Sequence, residues 1–407
     1  MPEKIIFIGD AHIGINFPYK RNITTGISER SLDYINNVKK IIDYAIKIQC
    51  KLLIFTGDLY DRPNVSATFR KKVREQIFLP LAEAKIPVLI ISGNHDSPMS
   101  FERGSSIEDL DFLPNVKVFR KPKAITKKID GKSIGLILLP YLHPSQIITF
   151  LEGKIEVGPI DIKKQYSASK ELLKNWIIYL LEDLETDIKI IVGHYYLKGT
   201  QISSDYSPEV LPGEFTFTES MIPYSDVDLC VFGHVHVFQE LKNGKIVIPG
   251  SVEHIDFGER GESKGFIIFD IDIKKWEFKK LKSRQLFKGV INIPDDTSPT
   301  KYCLKQINQM GDLKDAIVRL EITASLENEM KLNLQSIENA LEGTFYFEIK
   351  FIQKQTKVDQ TILESYTLDP IELLSEFIDQ AFYSYEKKDR LKKTAIEIIN
   401  SLIESEE

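Results

Sequence analysis

Short apolar runs alternate with amphipathic helical stretches from the first residues of this chain, and that rhythm restricts it to folds built from βαβ units. Lys4-Ile-Ile-Phe-Ile-Gly9 and residues 52–56 read as buried strands, while Ile35, Val38, Ile41, Ile42, Ala45 and Ile46 between them keep helical spacing. A helix over residues 69–84 leads to the run Val88-Leu-Ile-Ile-Ser92, which predicts a sheet with helices on its faces. Shorter strands follow near 116–119 and 134–139, then a helix at 167–184 and strands at 188–192 and 229–232. Residues 245–281 read as β segments, with turns at Asn243-Gly244 and Pro249-Gly250. A chain of 407 residues exceeds one typical core, and the divisions expected are 1–275, 276–355 and 356–407.

Composition narrows the class. No window approaches the roughly 18 consecutive apolar residues of a membrane span, and Met1 runs straight into the first strand without a leader pattern. Cys50, Cys230 and Cys303 are few, odd in number and widely spaced, which suits a reducing compartment. A cytoplasmic protein with no membrane contact is expected. The net charge of −6 excludes a globally basic nucleic-acid binder, so any DNA contact must rest on local basic surface.

The informative polar residues sit where the strands end. Asp10 and His12 follow the first, Asp58 the second, and Asn94, His95 and Asp96 the third; His194 and the pair His234 and His236 repeat the arrangement later. In open α/β sheets ligands bind beyond the strand C-termini. One Gly-Asp or Gly-His dipeptide is usually only a turn, but five such motifs in order, each after a predicted strand, are not explained by turns. Five of the seven histidines belong to them. Of the other two, His143 reads as a loop residue, and His254 is open between a structural and a functional role.

The residue types have a chemical logic. A carboxylate such as Asp58 can bridge two cations about 4 Å apart, with imidazoles and an amide oxygen completing two mixed N/O shells suited to manganese, iron or zinc. His95, beside Asn94, is placed to hydrogen-bond a phosphate oxygen or to protonate a leaving group, with Asp96 expected to orient its ring.

Asp10-Ala-His12, Gly57-Asp58-Leu-Tyr-Asp61, Gly93-Asn-His-Asp96, Gly193-His194 and Gly233-His-Val-His236 resemble the signature of calcineurin-like metallophosphoesterases. The resemblance implies a four-layer α/β/β/α sandwich. It places Asp10, His12, Asp58 and His236 on one metal, and Asp58, Asn94, His194 and His234 on the other, with His95 as catalytic histidine. Gly9-Asp-Ala-His-Ile-Gly14, Ile91-Ser-Gly-Asn-His-Asp-Ser97 and Pro249-Gly-Ser-Val-Glu-His-Ile-Asp-Phe-Gly-Glu259 further resemble the meiotic-recombination-eleven and SbcD family of double-strand-break repair nucleases. That implies two manganese ions, DNA ends as substrate, 3'-5' exonuclease and endonuclease activity, a homodimer, and an SMC-like coiled-coil ATPase partner. Asp61 stands where archaeal and eukaryotic members are expected to have histidine, as in bacterial relatives, and leaves the balance of the two activities open. A phosphatase or small phosphodiesterase, and a scaffold without chemistry, are the competing classes. The scaffold would have lost ligands, and a small-molecule phosphatase would need no appended C-terminal third.

That third predicts a small α/β capping domain, with strands at 316–324 and 344–351 and a helix near 332–341. Lys279, Lys280, Lys282 and Arg284 are candidate phosphate contacts, weighed against ordinary solvated charge. Asp369-Pro-Ile-Glu372 opens a predicted pair of amphipathic helices that either fold back on the core or dock on a partner, and the resemblance favours docking on the ATPase partner. The resemblance also assigns dimer contacts to helices near 69–84 and 101–110, although Phe69, Val73, Ile77 and Leu81 read equally well as core.

Overall fold

The computed structural model describes residues 3–15, 17, 21–22, 26–98, 104–151, 165–202, 215–353, 378 and 388–396. The first βαβ unit is β1 (Lys4–Ile8), α1 (Glu29–Lys47) and β2 (Leu52–Phe55). A helix then runs as α2 (Ala67–Val73), a π-helical stretch Arg74–Phe78 and α3 (Leu79–Glu83), and leads into β3 (Val88–Ile91) and β4 (Val116–Phe119). The chain continues with β5 (Lys123–Ile129), β6 (Lys132–Leu139), α4 (Pro144–Leu151), α5 (Gln165–Asp183) and β7 (Ile188–His194). After a small two-stranded ribbon, β8 (Tyr196–Leu197) with β9 (Thr216–Phe217), come β10 (Leu229–Gly233), β11 (Gln239–Leu241), β12 (Ile246–Ile248), β13 (Gly265–Asp270) and β14 (Lys275–Lys280).

Two six-stranded sheets result, ordered β14-β13-β1-β2-β3-β4 and β11-β12-β10-β7-β6-β5. β1 to β4 are mutually parallel, as are β6, β7, β10 and β12, whereas the outer strands β5, β11, β13 and β14 join antiparallel. The period-two alternation of strand side chains decides what each face meets. Ile5 and Phe7 of β1 pack with Leu52 and Ile54 against Leu136 and Leu138 of β6 and Ile190 and Val192 of β7, so the two sheets share a core. Ile6, Ile8, Leu53 and Phe55 point the other way, onto the stripe Ile35, Val38, Ile41, Ile42 and Ala45 of α1. On the second sheet, Ile137, Ile191 and Phe232 meet Ile147, Trp176 and Ile177 of α4 and α5. Each such side chain contributes about 1.5–3 kcal/mol by burial.

The first sheet continues through β14 to Lys280, five residues past the division expected at 275. Residues 249–264, expected to be largely strand, form a loop. Gly250 turns at φ 75°, and Ser251, Glu253, His254 and Glu259 are buried in side-chain contacts instead of joining a ladder.

The C-terminal region holds β15 (Leu286–Asn292), α6 (Pro299–Gln309), β16 (Ile317–Ala324), α7 (Leu326–Met330), α8 (Leu334–Ala340) and β17 (Tyr346–Gln353). Its three strands are parallel, and Val318, Leu320 and Ile322 pack on Cys303, Ile307 and Ile337 in a separate core. Arg284 ties this unit to α1. Its guanidinium donates to both carboxylate oxygens of Asp33 at 2.7 and 2.9 Å and to the Asp315 carbonyl at 2.7 Å, and lies 3.7 Å from the Phe345 ring centroid. That removes Arg284 from the candidate phosphate contacts, because its donors are committed within the protein.

The C-terminal helical pair lies outside the described residues, apart from Ile378 and residues 388–396. Of the proposed dimer helix, Val73, Ile77 and Leu81 are fully buried within the single chain, so those three serve its own core. No helix among the described residues is long and apolar enough to cross a membrane.

Candidate metal centre

The parallel registers bring the motif loops together. Ile8 pairs with Phe55, Phe55 with Ile90, and Gly233 with His194, so the residues just beyond these strands share one crevice. The loops are tightly cut. Ala11 and His12 donate their amides to the Asp58 carbonyl at 3.0 and 2.9 Å. Gly57 has φ 106°, and a Cβ there would sit 2.1 Å from the His194 ring; a Cβ on Gly93 would meet the Asp58 carboxylate at 2.1 Å. His12, Asp58 and His234 themselves adopt positive φ (41°, 47° and 90°), a cost that side-chain-bearing residues carry mainly at functional sites.

All seven predicted ligands converge. His12 Nε2 faces His236 Nε2 at 3.2 Å, and His194 Nε2 lies 2.9 Å from Asn94 Oδ1, which is also 3.0 Å from His234 Nδ1. One oxygen, Asp58 Oδ2, lies between the two sets, 3.7 Å from His12 Nε2 and 3.2 Å from His194 Nε2. Asp10 accepts the His234 amide on both carboxylate oxygens, at 2.9 and 3.2 Å. Ligand atoms about 2.0–2.2 Å from a common ion stand roughly 3 Å apart, which matches these separations.

The donor chemistry also fits cations. His194 Nδ1 donates to the Thr56 carbonyl at 2.8 Å, which leaves Nε2 to present a lone pair to the lone pairs of Asp58 and Asn94. Such an arrangement repels unless a proton or a metal ion lies between. Burial disfavours protonated His194, yet Asp58 and Asp10 raise its pKa to about 9, so the two carboxylates favour positive charge at this point. His194 also comes within 3.7 Å of Asp10, but through the Nδ1 already given to Thr56, so Asp58 is the better bridge. Burial, against the pull of Asp61 and Asp58, lowers the pKa of His12, which favours the neutral ring that coordinates. Asp10 and Asp58 are buried, and among the described residues their ion-pair partners are histidines.

Supporting contacts orient these rings. Glu259, fully buried, accepts from His236 Nδ1 at 2.9 Å and from the buried Lys264 ammonium at 2.7 Å, so the carboxylate sets which ring nitrogen of His236 faces His12. Nothing local in the sequence pointed to Glu259 beyond its place in the 249–259 motif. His95 donates its amide to Asp58 Oδ1 at 2.8 Å, and its Nδ1 meets the Asp61 carbonyl at 2.9 Å, leaving Nε2 for substrate.

The expectation that Asp96 orients His95 is corrected. The Asp96 carboxylate accepts the amides of Leu59, Tyr60 and Gly93 at 3.1, 2.9 and 3.2 Å, clamping the second motif loop to the third. Burial and the charge of Asp58 push its carboxyl up to about 7, against those three amides. The Asp61 side chain approaches His12 Nδ1 at 3.5 Å, long for a hydrogen bond, and groups with His12 and His95 as a third donor cluster. His143 sits just ahead of α4, its Nδ1 3.0 Å from Ser145 Oγ. His254 is buried against Glu253, and its backbone carbonyl accepts from Arg30 and Tyr34.

A two-sheet α/β fold with carboxylates, histidines and an asparagine collected at the strand C-termini defines a metal-dependent hydrolase of phosphoester bonds. The calcineurin-like phosphoesterase family model matches residues 3–238, more than half the chain, and the chain belongs to that family. It is 24% identical over 335 residues to the SbcD component of the SbcCD nuclease of Staphylococcus epidermidis, covering 79% of this chain and 83% of that protein. It is 24% identical over 374 residues to the DNA double-strand break repair protein Mre11 of Methanococcus maripaludis, covering 83% and 89%. Among solved structures, a putative 5'-nucleotidase from Staphylococcus aureus shares 15% identity at a TM-score of 0.40, covering 69% of this chain and 53% of that one. A dimetal phosphatase from Danio rerio shares 12% at a TM-score of 0.36, covering 66% and 92%.

Proposed function

We propose that this chain is a manganese-dependent DNA nuclease with 3'-5' exonuclease and endonuclease activity, acting on DNA ends within a double-strand-break repair complex that includes an SMC-like ATPase. The observation that carries the reading is the extent of likeness. Similarity to a repair protein spans 83% of the chain, past the phosphoesterase match at 3–238 and into the C-terminal region that a small-molecule phosphatase would not need.

Asp10, His12, Asp58 and His236 would hold one metal, and Asp58, Asn94, His194 and His234 the other. Bound there, the pair supplies an activated water and neutralises charge on the phosphate. His95, its ring fixed by the Asp61 carbonyl, hydrogen-bonds the scissile phosphate through Nε2 and gives the leaving oxygen its proton. Asp96 keeps the loops carrying Asp58 and Asn94 in register. The region 276–355 leans over the crevice as a capping domain, 356–407 binds the ATPase partner, and the chain works as a homodimer inside the cell.

The test is degradation of linear double- and single-stranded DNA with manganese, beside bis-p-nitrophenyl phosphate. His95→Ala should lower DNA cleavage by about 10²–10⁴-fold while both metals stay bound. Turnover of the small diester with DNA untouched, even with a candidate ATPase added, would replace this reading by a phosphatase.

A further inference from the structure

β4 and β5 are the terminal strands of the two six-stranded sheets, and the chain passes from one to the other within residues 120–122, so both edges lie on one side of the sandwich. The two edges differ. On β4 the Val116 amide donates to the Leu113 carbonyl at 3.1 Å and the Val118 amide to Asp111 Oδ1 at 2.8 Å, which closes that edge. On β5 the tight turn at Asp130-Gly131, both at positive φ, pairs Ile129 with Lys132. The ladder to β6 therefore uses the backbone of Lys123, Ile125, Lys127 and Ile129, and that of Ala124, Thr126 and Lys128 turns outward. Among the described residues these outward groups meet no partner.

Between the two edges opens a cavity of about 800 Å³. Ile125, Thr126 and Lys127 line it in succession, whereas the face of a strand shows alternate residues only, so the cavity abuts the open edge of β5. Leu89, Phe119 and Ile125 give it an apolar floor continuous with the core that the sheets share. Lys85, Lys117, Lys123 and Lys127 also line it, and among the described residues no carboxylate does. Lys117 is paired with Asp111 at 2.8 Å, but Lys85, Lys123 and Lys127 are exposed and have no ion-pair partner among the described residues. In a chain of net charge −6 this is a local excess of cations. It lies at the opposite end of β3 from Asn94, away from the metal centre.

We propose that this groove docks an extended acidic segment of a partner protein, which adds a strand to β5. Its backbone pairs with the outward groups of Ala124, Thr126 and Lys128, its carboxylates meet Lys85, Lys123 and Lys127, and its alternate apolar side chains enter the floor. The same lysines repel a second copy of β5, so the edge refuses its own kind and selects an oppositely charged strand. An open backbone edge over an apolar floor favours a peptide over a nucleic acid, which cannot extend the ladder.

The test is fluorescence anisotropy on the full-length protein with a labelled peptide of about seven residues alternating glutamate and valine. Two control peptides accompany it: one with lysine for glutamate, and one with proline for valine, which keeps the charge but cannot donate to a ladder. The first peptide should bind and both controls should fail. Thr126→Pro removes an outward amide that β6 does not use, and Lys123→Glu with Lys127→Glu reverses the rim. Each variant, checked for an unchanged melting temperature, should weaken binding at least about tenfold. No binding at millimolar peptide, equal binding of the proline control, or full affinity in Thr126→Pro would overturn the proposal. Displacement of the peptide by oligothymidylate, with the same dependence on Lys123 and Lys127, would give the groove to nucleic acid instead. A concentration-dependent dimer that Thr126→Pro abolishes would give it to a second copy of the chain.

Discussion

Glu259→Gln should uncouple His236 from metal binding without changing the shape of the site. Glu259 Oε2 accepts from Lys264 at 2.7 Å, the Ile255 amide at 3.0 Å and Ser251 Oγ at 3.4 Å, whereas among the described residues Oε1 meets His236 Nδ1 alone. A glutamine must keep its oxygen on the crowded side, so its NH₂ turns towards His236. The ring then accepts at Nδ1 and carries its proton on Nε2, where the metal needs a lone pair. Metal affinity should fall about 10–100-fold, or roughly 1.4–2.8 kcal/mol. Stability should fall as well. Burial alone would raise the Glu259 carboxyl, but His236 and Lys264 hold it at about 2, against 4.5 for a free glutamate. At about 1.4 kcal/mol per pH unit this is on the order of 3 kcal/mol. Because the folded value is the lower one, the contribution is complete above pH 4.5 and fades as the pH drops towards 2. Glu262, 3.0 Å from the Lys264 ammonium, retains part of it. Manganese calorimetry and urea unfolding of the metal-free protein at neutral pH measure the two losses. Wild-type metal affinity in this variant would refute the assignment of Nδ1 to Glu259.

Three further substitutions separate structure from chemistry. Gly57→Ala meets a φ of 106° and the His194 ring together, so it should cost more than about 1 kcal/mol and abolish metal binding; a variant that keeps its metals would show the loops have room. Asp96→Asn leaves one of the three clamped amides facing an NH₂, for about 1–3 kcal/mol in urea unfolding. Lost turnover at unchanged stability would return Asp96 to catalysis. Arg284→Ala removes the bidentate contact to Asp33, and the C-terminal unit should then be cut loose near residue 280 by limited proteolysis at lower protease doses. An unaltered digestion pattern would show that Arg284 is not what fastens it.

Strand ends and ligand types were legible because both are local. An apolar run followed by glycine and a polar side chain specifies where a strand stops and what it presents, whatever the rest of the chain does. Asp10, Asp58, Asn94 and the five motif histidines could therefore be named from their neighbours alone. The strands β5 and β15 were not foreseen. β5 is a half-exposed edge whose Lys123, Thr126, Lys127 and Lys128 dilute the alternation, and β15 carries Gly289 and an exposed Val290. The roles of Asp96, Glu259 and Arg284 depend on what lies opposite them. Asp96 has a histidine beside it in sequence and three amides around it in space; Glu259 reaches His236 across 23 residues, and Arg284 reaches Asp33 across 251. Local pattern is set by the pairing rules of one strand or helix, whereas a hydrogen-bond partner is chosen only when packing brings distant backbone into a dry interior where every donor must be met.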